Sequence, residues 1–250
     1  MTFWRIKKIS KFSTLSFKNS VFIIGLPGFA QVGKLCSDFL IKEFKAKPIY
    51  EFVPDTLPSF VKLNEDDLLM LPFIKVFHFK KSGRDFMVVT GNFQPGDDFY
   101  SYELSNKILD LFEKLHGSEL VSLAGIGLPV IPKTPSVYCT SYSKKVVDNF
   151  VRNVKVKTKP HSVVGSVLGI SGLVVGLSKS RKINAVLLLA ETYGHPLFLG
   201  VDSSKAIVKL LNKKYNLGVD LKKLRKKRAK TQVKENVEVP VPDKKVNYIG

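Results

Sequence analysis

Val21-Phe22-Ile23-Ile24-Gly25-Leu26-Pro27-Gly28-Phe29-Ala30-Gln31-Val32-Gly33-Lys34-Leu35-Cys36 contains the change of period that decides the fold class. Val21 to Ile24 is a short unbroken apolar run, the signature of a strand buried on both faces. Gly25-Leu26-Pro27-Gly28 punctuates it as a turn. From Ala30 the spacing becomes helical: Val32, Leu35, Cys36, Phe39, Leu40 and Phe44 share one face, while Lys34, Asp38, Lys42 and Lys45 lie elsewhere on the wheel. Strand, glycine turn and amphipathic helix together open an α/β unit.

Downstream the chain is first β-rich. Pro48–Val53 and Ser59–Leu63 are strand candidates. Phe73–Phe79 and Asp85–Gly91 flank Lys80-Lys81-Ser82-Gly83-Arg84, a turn that predicts an antiparallel pair. Leu104, Ile108, Leu111, Phe112 and Leu115 mark a second helix, Leu120–Ile126 a second buried strand, and Val137–Thr140 a short one. Val146, Val147 and Phe150 mark a third helix. Val167–Leu177 is apolar almost all round, which predicts a helix inside the fold. Ala185–Ala190 is a strand of the parallel type, and Ala206, Ile207, Leu210, Leu211 and Tyr215 belong to a last core helix.

The 250 residues carry 40 Lys+Arg and 21 Asp+Glu, a net charge of +19, with 44 % hydrophobic residues. That mix excludes a mainly disordered chain. Cys36 and Cys139 are too few for a disulfide scaffold or a four-thiolate metal site. Residues 1–20 hold five basic and no acidic residues, and residues 213–250 hold 12 basic against 4 acidic. The reading is therefore a basic N-terminal segment (1–20), an α/β domain (21–212) and a basic tail (213–250). In the tail, Lys222–Lys230 includes Arg225, Lys226, Lys227 and Arg228. Such a run grips phosphates or an acidic protein, or stays a solvated chain. Neither a secretory leader nor a stretch long enough to span a membrane is legible, so the expected location is the cytoplasm.

Four constellations carry possible chemistry. Gly28–Leu35 comes within one residue of a P-loop, but Leu35 stands where the magnesium-binding Ser or Thr belongs. Gly165, Gly169, Gly172 and Gly176 recur at helical spacing, presenting bare backbone for close approach of another backbone, within the fold or between copies. Glu191 and His195 follow a strand, where ligands bind in open α/β sheets; Glu103, after Thr90–Pro95, completes an acid/base set for a nucleoside or carboxylate ligand. Asp97-Asp98 suits a cation or a helix N-terminus. No metal, serine-hydrolase or cofactor motif occurs.

Taken in order, Gly25–Gly28 with Val32-Gly33, Thr90-Gly91 with Gln94-Pro95 and Tyr102-Glu103, Gly125–Gly127, Pro135–Tyr138, Gly165–Leu177 and Leu187–Pro196 resemble the PAC2 family of proteasome-assembly-chaperone relatives found in archaea. The resemblance spans about residues 20–212. It implies a three-layer α/β/α fold with a mixed sheet, similar to purine nucleoside phosphorylases but without their activity. It also implies homo-oligomers and a chaperone role beside the 20S proteasome α-subunits or a related assembly factor. Archaeal relatives that engage the proteasome end in a hydrophobic residue, tyrosine and one last residue. Here Tyr248-Ile249-Gly250 puts the tyrosine third from the end, one position out of register. The reading is a non-enzymatic, homo-oligomeric adaptor with the tail as partner-binding element. An enzyme using Glu103, Glu191 and His195, or nucleic-acid association through the tail, are the rivals.

Overall fold

A computed structural model describes residues 3–10, 17, 19–56, 58–64 and 66–224. Among these residues, ten strands and five α-helices follow in chain order: β1 (Trp4–Lys8), β2 (Ser20–Gly25), α1 (Val32–Glu43), β3 (Lys47–Pro54), β4 (Lys62–Leu63), β5 (Leu69–Met70), β6 (Ile74–Lys81), β7 (Arg84–Gly91), α2 (Asp98–Lys114), β8 (Gly117–Leu128), β9 (Val137–Thr140), α3 (Lys144–Val151), α4 (Ile170–Leu177), β10 (Ala185–Tyr193) and α5 (Val201–Tyr215). Eight strands form one sheet in the order β1-β3-β6-β7-β2-β8-β10-β9, and β4 and β5 form a separate hairpin.

The sheet has two regimes. β7, β2, β8 and β10 run parallel. β6, β3 and β1 extend it antiparallel on one side, and β9 closes the other side antiparallel to β10. The parallel strands alternate strictly between two apolar layers. In β2, Phe22 and Ile24 face the α2/α4 side, while Val21 and Ile23 face the α1/α5 side; in β10, Leu187 and Leu189 oppose Val186 and Leu188 in the same way. Burial on both faces explains why these strands read as continuous apolar runs. The chain is thus the three-layer α/β/α fold with a mixed sheet that the sequence resemblance implied.

Two glycines set the spacing between α1 and the sheet. A Cβ on Gly33 would lie 2.5 Å from the Leu123 carbonyl oxygen, and one on Gly25 would lie 2.1 Å from that of Gly33. Real Cβ atoms do not come so close, so α1 packs on β2 and β8 by bare backbone contact. The β6–β7 turn forms as expected, with Ser82 and Gly83 both at positive φ.

Several boundaries differ from the sequence reading. Within the N-terminal segment read as 1–20, Trp4–Lys8 belongs to the domain: β1 is an edge strand, and the Trp4 side chain is 1 % exposed. A basic composition hid it, because Arg5 and Lys7 lie on the face away from Trp4 and Lys8 is exposed at the end of this edge strand. The folded unit also passes residue 212, since α5 runs to Tyr215 and Leu217, Val219 and Leu224 are buried. Arg225, Lys226, Lys227, Arg228, Tyr248, Ile249 and Gly250 lie outside the described residues. The strand expected at Ser59–Leu63 shrinks to Lys62–Leu63.

The helix expected over Val167–Leu177 starts only at Ile170, and it is buried on one side alone, through Ile170, Val174 and Val175. Gly165 lies in the preceding loop, and Gly169 sits at the helix start with φ 77°. Of the four glycines only Gly172 and Gly176 are helical. A Cβ on Gly172 would lie 2.9 Å from the Val167 carbonyl oxygen, whereas Gly165 and Gly176 have open space where a side chain would be. Within the fold, close backbone approach is made at Gly172 and, more tightly, at Gly25 and Gly33.

Candidate functional site

The carboxyl ends of β2, β7, β8 and β10 converge where open α/β sheets bind ligands. After β2 the chain takes an abrupt route: Ala30 and Gln31 have φ of 48° and 57°, and the Gln31 N–H closes a turn on the Gly28 carbonyl at 2.9 Å. The Ala30 carbonyl in turn accepts from the Gly200 N–H at 2.8 Å, tying this turn to the start of α5. Consecutive left-handed residues without glycine are uncommon and persist only where surrounding structure fixes them. The near-P-loop spelling of Gly28–Leu35 is therefore not a phosphate loop. Its Gly33 is inside α1, pressed against β8, and the turn left over is too short to wrap a phosphate chain.

The turn, the ends of β8 and β10 and the loop before α4 enclose a cavity of about 360 Å³. Phe29, Ile126, Val164, Val167 and Leu168 supply its apolar lining, and Gln94, Ser171 and His195 its polar atoms. No carboxylate, lysine or arginine lines it. Ser171 Oγ donates to the Leu123 carbonyl at 3.3 Å, and Gln94 Oε1 accepts from the Ile170 N–H at 3.4 Å. Both polar groups thereby brace the start of α4. The arrangement suits an apolar group held by shape, with one imidazole at the rim.

The acid/base set is not assembled. Glu191 turns away from the cavity to the β9 side, where its carboxylate accepts from the Ser136 N–H and from the Tyr138 hydroxyl, each at 2.9 Å. Burial by itself would raise its pKa, but these hydrogen bonds and the nearby Lys157 ammonium hold it below the ordinary value. A carboxylate so satisfied is a structural anchor between β10 and β9. His195 stays exposed at the mouth, stacked on Tyr193 with ring centroids 5.8 Å apart, and its Nδ1 accepts from the Leu197 N–H at 3.2 Å. Glu103 is engaged elsewhere: its two carboxylate oxygens accept from the Phe3 N–H at 2.8 and 2.9 Å, pinning the start of β1 to α2. The Asp97-Asp98 pair resolves as a helix start, with Asp97 capping α2 by accepting from the Tyr100 N–H at 3.1 Å.

Among the described residues, no group of three or more His, Cys, Asp or Glu side chains is placed to hold a metal ion. No helix among them is long and apolar enough to cross a membrane. Sequence reasoning missed Phe29, Val164, Val167 and Leu168 as cavity residues. Val167 and Leu168 fall within the helix expected over Val167–Leu177, and Phe29 and Val164 carry no signal beyond their apolar character.

The fold and this site define a three-layer α/β/α protein of the nucleoside-phosphorylase type whose crevice at the strand ends is mostly apolar, with no carboxylate, lysine or arginine among the described residues that line it. The chain belongs to the PAC2 family, whose profile matches residues 22–237. It is 25 % identical over 215 residues to an uncharacterised protein of Methanocaldococcus jannaschii, covering 84 % of this chain and 79 % of the relative. The crystal structure of Pyrococcus furiosus PbaB, an archaeal proteasome activator, superposes with a TM-score of 0.80 at 25 % identity, covering 90 % of this chain and 93 % of PbaB. P. furiosus PbaA, an archaeal homologue of proteasome-assembly chaperone, shares the fold with a TM-score of 0.71 at 21 % identity, covering 88 % and 85 % of the two chains. The Mycobacterium tuberculosis proteasome-assembly chaperone homologue Rv2125 shares it with a TM-score of 0.63 at 18 % identity over 82 % and 89 %.

Proposed function

We infer that this chain works by binding proteins, as a self-associating, cytoplasmic factor that assists assembly or activation of the 20S proteasome. The observation that carries this reading is the likeness to PbaB over nine-tenths of both chains. The site agrees with it: the crevice holds no paired ionisable groups, and Glu103 and Glu191 are committed to holding strands in place. In this reading the basic tail with Arg225–Arg228 and Tyr248–Gly250 reaches the α-subunits, where its charge suits an acidic rim. The open backbone at Gly176 on α4 remains a candidate contact between copies.

The test is co-purification of the full chain and of a chain ending at Leu224 with 20S α-subunits, followed by native mass spectrometry. The boundary matters, because truncation from residue 213 would remove the buried Tyr215, Leu217, Val219 and Leu224 and unfold the core. Capture by the full chain and its loss on removing 225–250 is the expected result. Absence of any complex with α-subunits overturns the reading. Capture that survives truncation removes the tail's assigned role.

A further inference from the structure

The antiparallel end of the sheet carries the sharpest mismatch between side-chain chemistry and exposure. Between Phe60 and Leu71, six large apolar side chains are 41 to 72 % exposed: Phe60, Val61, Leu63, Leu68, Leu69 and Leu71. Single exposed apolar residues are ordinary, but a contiguous group marks a contact surface. This group sits on and beside the β4–β5 hairpin, which has a defined shape although no core lies beneath its tip. The Asn64 side chain accepts from the Asp66 and Leu68 N–H groups at 3.0 and 2.8 Å, fixing the turn. Asn92, buried at the end of β7, fixes the base: its Oδ1 accepts from the Phe73 N–H at 2.7 Å, its Nδ2 donates to the Leu71 carbonyl at 3.3 Å, and its own carbonyl accepts from Lys62 Nζ at 2.6 Å. The ridge is therefore pre-organised for contact rather than a loose loop.

Beside the ridge, one face of β1, β3 and β6 has no helix over it among the described residues. The strand register places Arg5 opposite Val53 and Lys7 opposite Glu51, which in turn lies opposite Lys75. With Met70, Leu71 and Phe73 as its wall, this face forms an open groove of about 1080 Å³. Its rim is basic. Lys75 is paired with Glu51 at 3.6 Å and Arg5 with Asp55 at 3.7 Å, whereas Lys7 is exposed and has no ion-pair partner among the described residues. The tip of the hairpin is acidic, with Asp66 and Asp67 both exposed.

An apolar ridge with an acidic tip and an apolar groove with a basic rim thus lie side by side on one chain. A twofold axis between two copies sets each ridge into the other's groove, the arrangement of an isologous contact. The six side chains expose on the order of 600 Å² per copy, near the roughly 800 Å² that each partner of a stable pair buries. We propose that the β4–β5 hairpin and the open face of β1, β3 and β6 form the surface through which two copies of this chain pair. This deepens the self-association in the function proposed above and rests on that part of it.

The test uses the full chain, with sedimentation and native mass spectrometry over a concentration series and thermal melts to verify folding. Leu69→Asp should raise the self-dissociation constant at least tenfold. Lys7→Glu and Asp66→Lys should each weaken pairing several-fold, and the double variant, which restores opposite charges across the twofold, should recover most of it. If Leu69→Asp fails to fold, the charge reversals carry the test alone. A monomeric wild-type chain, or folded variants that self-associate as the wild type does, overturns the proposal. So does a Leu69→Asp chain that keeps its self-association but loses α-subunit capture, or one that loses flotation with phosphatidylcholine–phosphatidylglycerol vesicles while pairing normally. Capture of α-subunits, measured in parallel, separates failure of this surface from failure of the proteasome reading.

Discussion

The parallel and antiparallel parts of the sheet are built from the same pleated backbone but meet opposite surroundings. In β7, β2, β8 and β10 both faces are covered, by α2 and α4 on one side and α1 and α5 on the other. In β1, β3 and β6 one face joins the core through Trp4, Phe52, Ile74 and Val76, while the other carries Arg5, Lys7, Glu51 and Lys75 and has no helix over it among the described residues. The first part fixes the fold. The second presents, among the described residues, the face that the proposed pairing uses.

Adjacent residues of β3 test this division most directly. Phe52 points into the covered side and is 1 % exposed, so Phe52→Ala should cost about 3–5 kcal/mol in denaturant unfolding. Val53, its neighbour, faces the open groove, and Val53→Ala should cost less than about 1 kcal/mol. Equal losses at both positions would erase the distinction. The helix–sheet spacing of the parallel part gives the next largest effect. Gly33→Ala forces a methyl group against the Leu123 carbonyl and should cost about 3 kcal/mol or more. An unchanged melting temperature would show that α1 can slide away from β8.

The seam between β10 and β9 predicts a pH dependence. Glu191 titrates below its ordinary 4.5 because Ser136 and Tyr138 hydrogen-bond its charged form. Its contribution, about 1.5 kcal/mol relative to Glu191→Gln, is therefore complete above that value and fades as pH falls through the lowered one. Urea titrations of both chains should converge on acidification; a constant gap across that range would remove the assignment. The smallest effect belongs to the outer layer. Gly176→Ala, with nothing within 4 Å of the new methyl group, should stabilise the chain by about 0.5 kcal/mol. Should α4 be a contact between copies, the same change would also loosen self-association, which sedimentation would register.

The parallel half was legible in the sequence because burial on two faces leaves no position for a charge: Val21–Ile24, Leu120–Ile126 and Ala185–Ala190 each mark their strand within a few residues. The open half was not, since Arg5, Lys7 and Lys8 in β1 spell a solvated segment while their neighbour Trp4 sits in the core. Site legibility failed for a different reason. Glu191 and His195 do follow a strand end, but sequence spacing cannot tell that the Glu191 side chain turns toward Ser136 and Tyr138. The glycines show the same limit. Helical spacing at 165–176 suggested intimate packing, yet only coordinates reveal that the tightest approach belongs to Gly25 and Gly33.

The strand order also has a consequence for synthesis. β9 emerges from the ribosome some 45 residues ahead of β10, the strand that pairs with it along its length, and the amide of Phe3 waits for Glu103. A nascent chain halted near residue 150 would hold β8 with one edge unmatched and Val137–Thr140 with no β10 to join. Domains of such topology complete late and are vulnerable to edge-to-edge aggregation in the interval. Translational pauses placed before Ala185 should therefore lower the yield of native protein more than pauses placed after Tyr215.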